Sequence, residues 1–349
     1  MIGVGVIGYG YWGPNIARNV REQRDGDLVA ISDLRPERLA GATARYPGIK
    51  TTTRVSEVLT NPRVDAVVIA TPVSTHYELA LEALRAGKHV LVEKPMAMNS
   101  AHALHLMEEA DRRNLVLAVD HTFVYTGAVR KIRELVAGNG LGDIYYYDSV
   151  RVNLGLFQHD VNVVWDLAVH DLSIIDYVLP LRPVAVSATG LGHVTGQPEN
   201  IAYLTLFFDV PLIAHVHVNW LAPVKVRRTL IGGSRKLIVY DDLEPSEKIK
   251  VYDKGITVNG AGHDVNAAST PNYQMLVGYR AGDMWAPQLD MTEALTVEMR
   301  HFLECIDQGR QPIANAASGL RVVQILEAAS QSLRQRGRAI ELHAERRVA

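Results

Sequence analysis

Five short apolar runs, GVGVIG, LVAISD, DAVVIATP, HVLVEKP and LVLAVDH, punctuate residues 1–120 of this 349-residue chain. Between them lie stretches such as HYELALEALRAG and SAHALHLMEEADRRN, whose apolar residues recur at three- and four-residue spacing. Strands alternating with helices require crossover connections, and these fold right-handed into a parallel sheet. The spacing therefore predicts an α/β, doubly wound sheet over residues 1–122. Gly87 is expected to close one helix and Ser100 to cap the next. After about residue 120 the pattern changes. A helix is predicted in TGAVRKIRELVAGNG, a strand in IYYYDSVRVN, and a helix from near Asn162 to before Pro180. Several strands follow in succession, VAVSATG, IAYLTLFF, LIAHVHVNWL, KVRRTLIGG and KLIVYDD. In LIAHVHVNW, Ala214, Val216, Val218 and Trp220 alternate with Ile213, His215, His217 and Asn219, the period of a strand with two unlike faces. Residues 123–349 thus read as a second, α+β domain with a mostly antiparallel sheet, closing with helices over 291–308 and 318–336. The glycine-, asparagine- and proline-rich stretch 253–290 reads as a long loop.

The charge balance, 36 basic against 38 acidic residues, includes no block dense enough to track a phosphate backbone, so nucleic acid is not an expected partner. The single cysteine, Cys305, excludes an intramolecular disulfide and a cysteine-built metal site. Its setting, MRHFLECIDQG, is an amphipathic helix, which makes it a core thiol. No signal peptide and no apolar run of about 18 residues is evident. A cytoplasmic, soluble protein is expected.

GVIGYGYWG places Gly8, Gly10 and Gly13 in G-x-G-x-x-G spacing, directly after a strand and opening the helix PNIARNV. In that setting the first glycine makes the tight turn. The second lets backbone approach a pyrophosphate, and the third lets helix pack on strand. The pyrophosphate would sit on the helix N-terminus. Asp33 ends the second strand, 20 residues past Gly13. A carboxylate there accepts both ribose hydroxyls of an adenosine and repels a 2′-phosphate, which favours NAD. Arg35 argues the other way, since a guanidinium binds such a phosphate, so NADP stays open as the alternative.

In an open parallel sheet, ligands bind beyond the carboxyl ends of the strands. Thr71-Pro72 and Glu93-Lys94-Pro95 end two of them. Lys94 at the end of an apolar strand is an ammonium able to stabilise an oxygen that gains charge as a hydride leaves; a surface lysine is the alternative. Pro95 restricts the backbone of Lys94. In WDLAVHDLSIID, Asp166 and His170 stand four apart, one turn on a helix. Imidazole ordinarily titrates near neutrality, which suits His170 to accept a proton, with Asp166 orienting it or binding a second hydroxyl. The alternative is a polar pair satisfying itself. A metal would need a third ligand, and none is evident.

Taken together, the N-terminal glycine spacing, Thr71-Pro72 with His76, Glu93-Lys94-Pro95, and Asp166-x-x-x-His170 resemble the glucose–fructose oxidoreductase/inositol dehydrogenase (Gfo/Idh/MocA) family over essentially the whole chain. The closing PIANAASGLRVVQILEAASQSL is similar to that family's C-terminal helix. The resemblance implies a Rossmann domain followed by a domain whose open sheet carries substrate on one face and builds homodimers or homotetramers on the other. It implies catalytic roles for Lys94, Asp166 and His170, and cofactor contacts from Trp12, Thr71, Pro72, His76, Glu93 and Lys94 besides the glycine loop. The Lys-Pro peptide is often cis in the family. The family's second aspartate, three residues after the histidine, is Ser173 here, and Asp171 directly follows His170 instead.

SVRVNLGLFQHDVNVVWDLAVHDLSIID and VNWLAPVKVRRTLIGGSRKLIVYDD look most like the family's sugar-nucleotide branch. Arg151, Asn153 and Gln158, just ahead of the helix, are candidate substrate contacts, as are Lys225, Arg227 and Arg228 for a diphosphate; a solvated surface is the alternative for both sets. The expected activity is hydride transfer between nicotinamide and a ring carbon of a sugar or nucleotide sugar. A dehydrogenase of a free polyol and a non-catalytic NAD-binding regulator are the alternatives.

Overall fold

The computed structural model describes residues 1–155, 161–258 and 277–342. These form two compact units. The first comprises Met1–Gly127, Leu172–Asp176 and Met291–Ala328, and the second Ala128–Asp171, Tyr177–Asp290 and Ala329–Ala349.

The first unit is built on β1 (Ile2–Ile7), β2 (Gly26–Ser32), β3 (Lys50–Thr52), β4 (Ala66–Ile69), β5 (His89–Glu93) and β6 (Leu117–Asp120), all parallel, in the order β3-β2-β1-β4-β5-β6. That order reverses direction between β1 and β4, the feature that opens a ligand crevice. Their valines, isoleucines and leucines are buried without alternation, as expected of strands covered on both faces. The connections are α1 (Gly13–Glu22), α2 (Pro36–Arg45), α3 (Val55–Leu59), α4 (His76–Arg85) and α5 (Ser100–Arg113). Gly87 follows α4 with a positive φ, as expected. The cap of α5 is Asn99, not Ser100: the Asn99 side chain accepts from the His102 N–H at 2.8 Å, because its extra carbon reaches N3.

The return of 291–328 to this unit departs from a simple division at residue 122. Of the last two helices, α8 (Ala294–Gln308) and α9 (Ala316–Arg334), α8 lays Leu295, Met299, Phe302 and Leu303 into one core with Val4 and Val6 of β1 and Ile31 of β2. The Arg18 guanidinium forks onto Glu293 at 2.6 and 3.0 Å, tying α1 to the start of α8. Cys305 is buried on this helix, as expected of a core thiol.

The second unit opens with α6 (Gly127–Ala137) and is built on a nine-stranded sheet. These are β7 (Ile144–Leu154), β8 (Ala185–Leu191), β9 (Ile201–Phe207), β10 (Ile213–Asn219), β11 (Leu221–Gly233), β12 (Leu237–Asp241), β13 (Ile249–Tyr252), β16 (Met284–Trp285) and β17 (Ile340–Glu341). Their order is β16-β13-β12-β11-β7-β10-β9-β8-β17, and every pair is antiparallel except β7 with β10. Ala214, Val216, Val218 and Trp220 are buried, and the alternate residues of β10 face outward, as the period predicts. Within 253–290, β14 (Gly255–Val258) pairs with β15 (Val277–Arg280), so the expected loop begins and ends in paired strands. Among the described residues no helix is long and apolar enough to cross a membrane.

Candidate active site

Backbone geometry builds the cofactor cradle in the first unit. Gly8 has φ +96°, and a Cβ there would lie 2.4 Å from the Ala70 carbonyl oxygen; a Cβ on Gly13 would lie 2.2 Å from that of Gly8. Both positions therefore require glycine. A Cβ on Gly10 would meet the Arg38 side chain, not main chain. Trp12 precedes α1, whose N-terminus has no side-chain cap and no acidic residue in its first turn. Pro14 brings no N–H, and the N–H groups of Asn15 and Ile16 donate to the Trp12 carbonyl oxygen, so the Gly13 N–H and the helix dipole are what this end offers a pyrophosphate. The Asp33 carboxylate is nearly buried and accepts from the Tyr9 N–H at 2.8 Å and the Arg35 N–H at 2.9 Å. It thereby fixes the glycine loop against the end of β2. Arg35 and Arg38 stand 3.3 and 3.8 Å from it. With two guanidiniums beside one carboxylate, Asp33→Ser is expected to raise kcat/KM for NADP relative to NAD by about tenfold or more; an unchanged ratio would remove Asp33 from cofactor choice.

The strand ends carry the other first-unit residues. Glu93 is the last residue of β5, Lys94 follows it, and the Lys94–Pro95 peptide is cis. The Lys94 N–H donates to its neighbour's carboxylate, Glu93 Oε2, at 3.2 Å. The Thr71 hydroxyl accepts from Thr75 at 2.8 Å beside Pro72. His76, expected at the cofactor, is buried. Its Nδ1 lies 2.8 Å from the Pro95 carbonyl oxygen and its Nε2 lies 2.9 Å from that of Thr71. Both nitrogens lie against main-chain carbonyls, and the single N–H of the neutral ring donates to one of them, so the ring packs between the two strand ends. Burial lowers its pKa, against the pull of those carbonyls.

Asp166, His170, Arg151 and Asn153 belong to the second unit, and Gln158 lies outside the described residues. The Asn162 side chain accepts from the N–H groups of Val164 and Trp165, so the helical segment starts where expected. Its first turn, Val164–Ala168, is a π-turn, and α7 (Val169–Val178) follows. The π-turn widens the winding beneath Asp166, and the two residues remain about one turn apart. Asp166 Oδ2 accepts from Trp220 Nε1 at 3.0 Å.

Arg151, expected against substrate, is buried, and its guanidinium donates to Asp171 at 2.6 and 3.3 Å. Ser149 on the same face of β7 donates to Asp171 at 2.6 Å. The aspartate after His170 thus anchors α7 to the sheet. Asn153 is half-buried near the end of β7. Arg227 is engaged by Asp242 at 3.1 Å, whereas Lys225 and Arg228 are exposed. Two further residues escaped the sequence reading. Trp220 holds Asp166, and Asp120, which closes β6 as Glu93 closes β5, accepts from Trp12 Nε1 at 3.2 Å. The parallel endings VLVE and LAVD were the available signal for Asp120. Among the described residues, no three His, Cys, Asp or Glu side chains are grouped to hold a metal.

Residues 2–121 match the oxidoreductase family with an NAD-binding Rossmann fold, and residues 129–239 match the GFO/IDH/MocA C-terminal domain. The chain belongs to the GFO/IDH/MocA family. Its similarity to UDP-N-acetylglucosamine 3-dehydrogenase of Acidithiobacillus ferrooxidans is 28% identity over 91% of this chain and 93% of that one. The solved structure of that enzyme superposes with a TM-score of 0.77, covering 95% and 99% of the two chains. A scyllo-inositol 2-dehydrogenase (NADP(+)) of Bacillus subtilis is 25% identical over 96% of this chain and 94% of its own. As a GFO/IDH/MocA oxidoreductase, the chain carries an NAD-binding Rossmann domain, and the glycine cradle described above fits that cofactor.

Proposed function

We propose that this protein is an NAD(P)-dependent dehydrogenase that interconverts a secondary alcohol and a ketone on a ring carbon of a sugar nucleotide. The observation that carries the reading is the presence of Lys94, Asp166 and His170 in a chain similar over 91% of its length to a UDP-N-acetylglucosamine 3-dehydrogenase. Bound nicotinamide supplies the hydride acceptor, or the donor in reverse. His170 takes the hydroxyl proton as the C–H bond breaks. Lys94 steadies the oxygen while it carries charge and the carbonyl forms. Asp166, braced by Trp220, orients the imidazole or a second ring hydroxyl. Asn153 and the exposed Lys225 and Arg228 are the candidate contacts for the rest of the substrate.

Nicotinamide absorbance followed across UDP-sugars, the free sugars and inositols tests the reading. Turnover that disappears without the diphosphate is the expected result. Turnover of inositol alone would move the protein to the polyol alternative, in line with its similarity to the Bacillus enzyme. NAD binding without reduction of the nicotinamide by any of these compounds would make it a regulator.

We further infer self-association through the outer face of the nine-stranded sheet. Tyr146, Ile213 and Phe207 stand in register across β7, β10 and β9, all exposed, with Tyr203 stacked on His217 beside them. Such a row is an apolar patch that water covers poorly. Ile213→Asp is expected to lower the mass measured by light scattering to that of one chain.

A further inference from the structure

Glu93 and Asp120 are register partners at the ends of β5 and β6, so their side chains start side by side. Glu298, one turn into α8, brings a third carboxyl against Asp120, and it is 1% exposed. Three carboxyl groups therefore share one buried region of the first unit. Their donors are unequally distributed. Asp120 accepts from Trp12 Nε1 on one oxygen and from the Thr122 hydroxyl on the other. Glu93 accepts the Lys94 N–H on Oε2, while its Oε1 is buried with no hydrogen-bond partner among the described residues. Both oxygens of Glu298 are buried in the same condition. Thr122 Oγ1 lies beside Glu298 as well, but its one hydrogen goes to Asp120. What Glu93 and Glu298 face is the Asp120 carboxylate itself, within hydrogen-bonding reach of both. Two carboxylates repel across such a distance, and a carboxylic acid with a carboxylate forms a strong bond.

We propose that Asp120 is the single anion of a buried triad, that Glu93 and Glu298 each carry a proton and donate it to Asp120, and that this hub positions Trp12 of the glycine loop and the Glu93–Lys94 strand end. The inference concerns the NAD-binding unit alone and holds whichever substrate the enzyme takes. Burial and the neighbouring Asp120 raise the pKa of Glu93 and Glu298 well above the usual carboxylate range. The other groups facing the cluster do not neutralise it. His121 is held down to about 4 by burial and so stays uncharged at neutral pH. Tyr125 is pushed up by burial and stays protonated. Asp176, the anion across from His121, is forked onto Arg321 at 2.7 and 2.8 Å. Lys94 brings a positive charge to Glu93. The grouping also has no geometry for a metal.

The roles are positioning ones, and three readouts separate them from plain core packing. First, infrared spectra of the whole protein at pH 7 should contain buried carboxylic-acid C=O intensity, part of which disappears in E298Q and part in E93Q. Second, a carboxyl protonated in the fold but free to ionise when unfolded makes stability fall as pH rises above its ordinary value near 4.5, until the folded group ionises too. E298Q donates N–H to Asp120 at every pH, so its melting temperature should fall less steeply than that of the wild type. Third, E298A should weaken NAD binding about tenfold in calorimetric titration, and E298Q should restore most of it. The proposal is overturned if E298Q leaves the carboxylic-acid intensity intact, if the two melting curves run parallel with pH, or if E298Q binds NAD as poorly as E298A.

Discussion

Lys94→Ala is expected to lower kcat by about 10²–10³-fold with the fold intact. The side chain leaves the last turn of backbone before a proline, beyond the carboxyl end of β5, where a parallel sheet of this order presents its ligand. An ammonium there is useful only while the substrate oxygen carries charge, which happens between alcohol and ketone. Its loss should therefore fall on kcat and kcat/KM together, leaving the affinity for NAD nearly unchanged. Lys94→Arg should not rescue, because a planar fork cannot occupy the place of a compact point charge. A Lys94→Ala variant with near-normal kcat would end the assignment. Equal losses in NAD affinity and kcat would instead make Lys94 a cofactor-binding residue.

Asp171→Ala should be the most damaging single change to stability in the second unit, at about 3–5 kcal/mol. Arg151 has 4% of its surface exposed, and Asp171 is the carboxylate it grips through two hydrogen bonds. Removing the anion strips the buried cation of two charge-assisted hydrogen bonds and leaves the more distant Asp242 acting on it. The pair itself need not be worth that much. Two well-packed apolar residues often equal a buried ion pair, so Arg151→Met combined with Asp171→Leu should recover much of the loss. Denaturant unfolding of the three variants measures both terms. A single-variant loss below about 1 kcal/mol would show the Arg151 guanidinium finding other partners.

Much of this could be read from the residues. Alternating periods and the three spaced glycines are local signals, and they specified the parallel sheet and its cradle. The strand period of β10 told its two faces apart for the same reason. What escaped reading depends on partners distant in the chain. The apolar stripe of α8 is plain in MRHFLECI, but no periodicity says that Phe302 and Leu303 meet β1 and β2. A lone arginine in a strand reads as solvated, and only the fold brings Asp171 to Arg151. His76 sits in a recognisable motif, yet its buried bridge between two carbonyls is set by the strand ends it joins. The π-turn under Asp166 is a backbone adjustment with no residue signature of its own.

Because α8 completes the core of the N-terminal unit, that unit cannot finish folding when its own strands leave the ribosome. At about 5–20 residues per second, Phe302 emerges roughly ten seconds or more after Gly127. Throughout that interval the nascent sheet exposes the side of Val4, Val6 and Ile31 that Met299 and Phe302 will later cover, and chaperones have a defined apolar surface to hold. A stop codon just ahead of α8 would therefore uncover the apolar face of β1 and β2 as well as shorten the second unit.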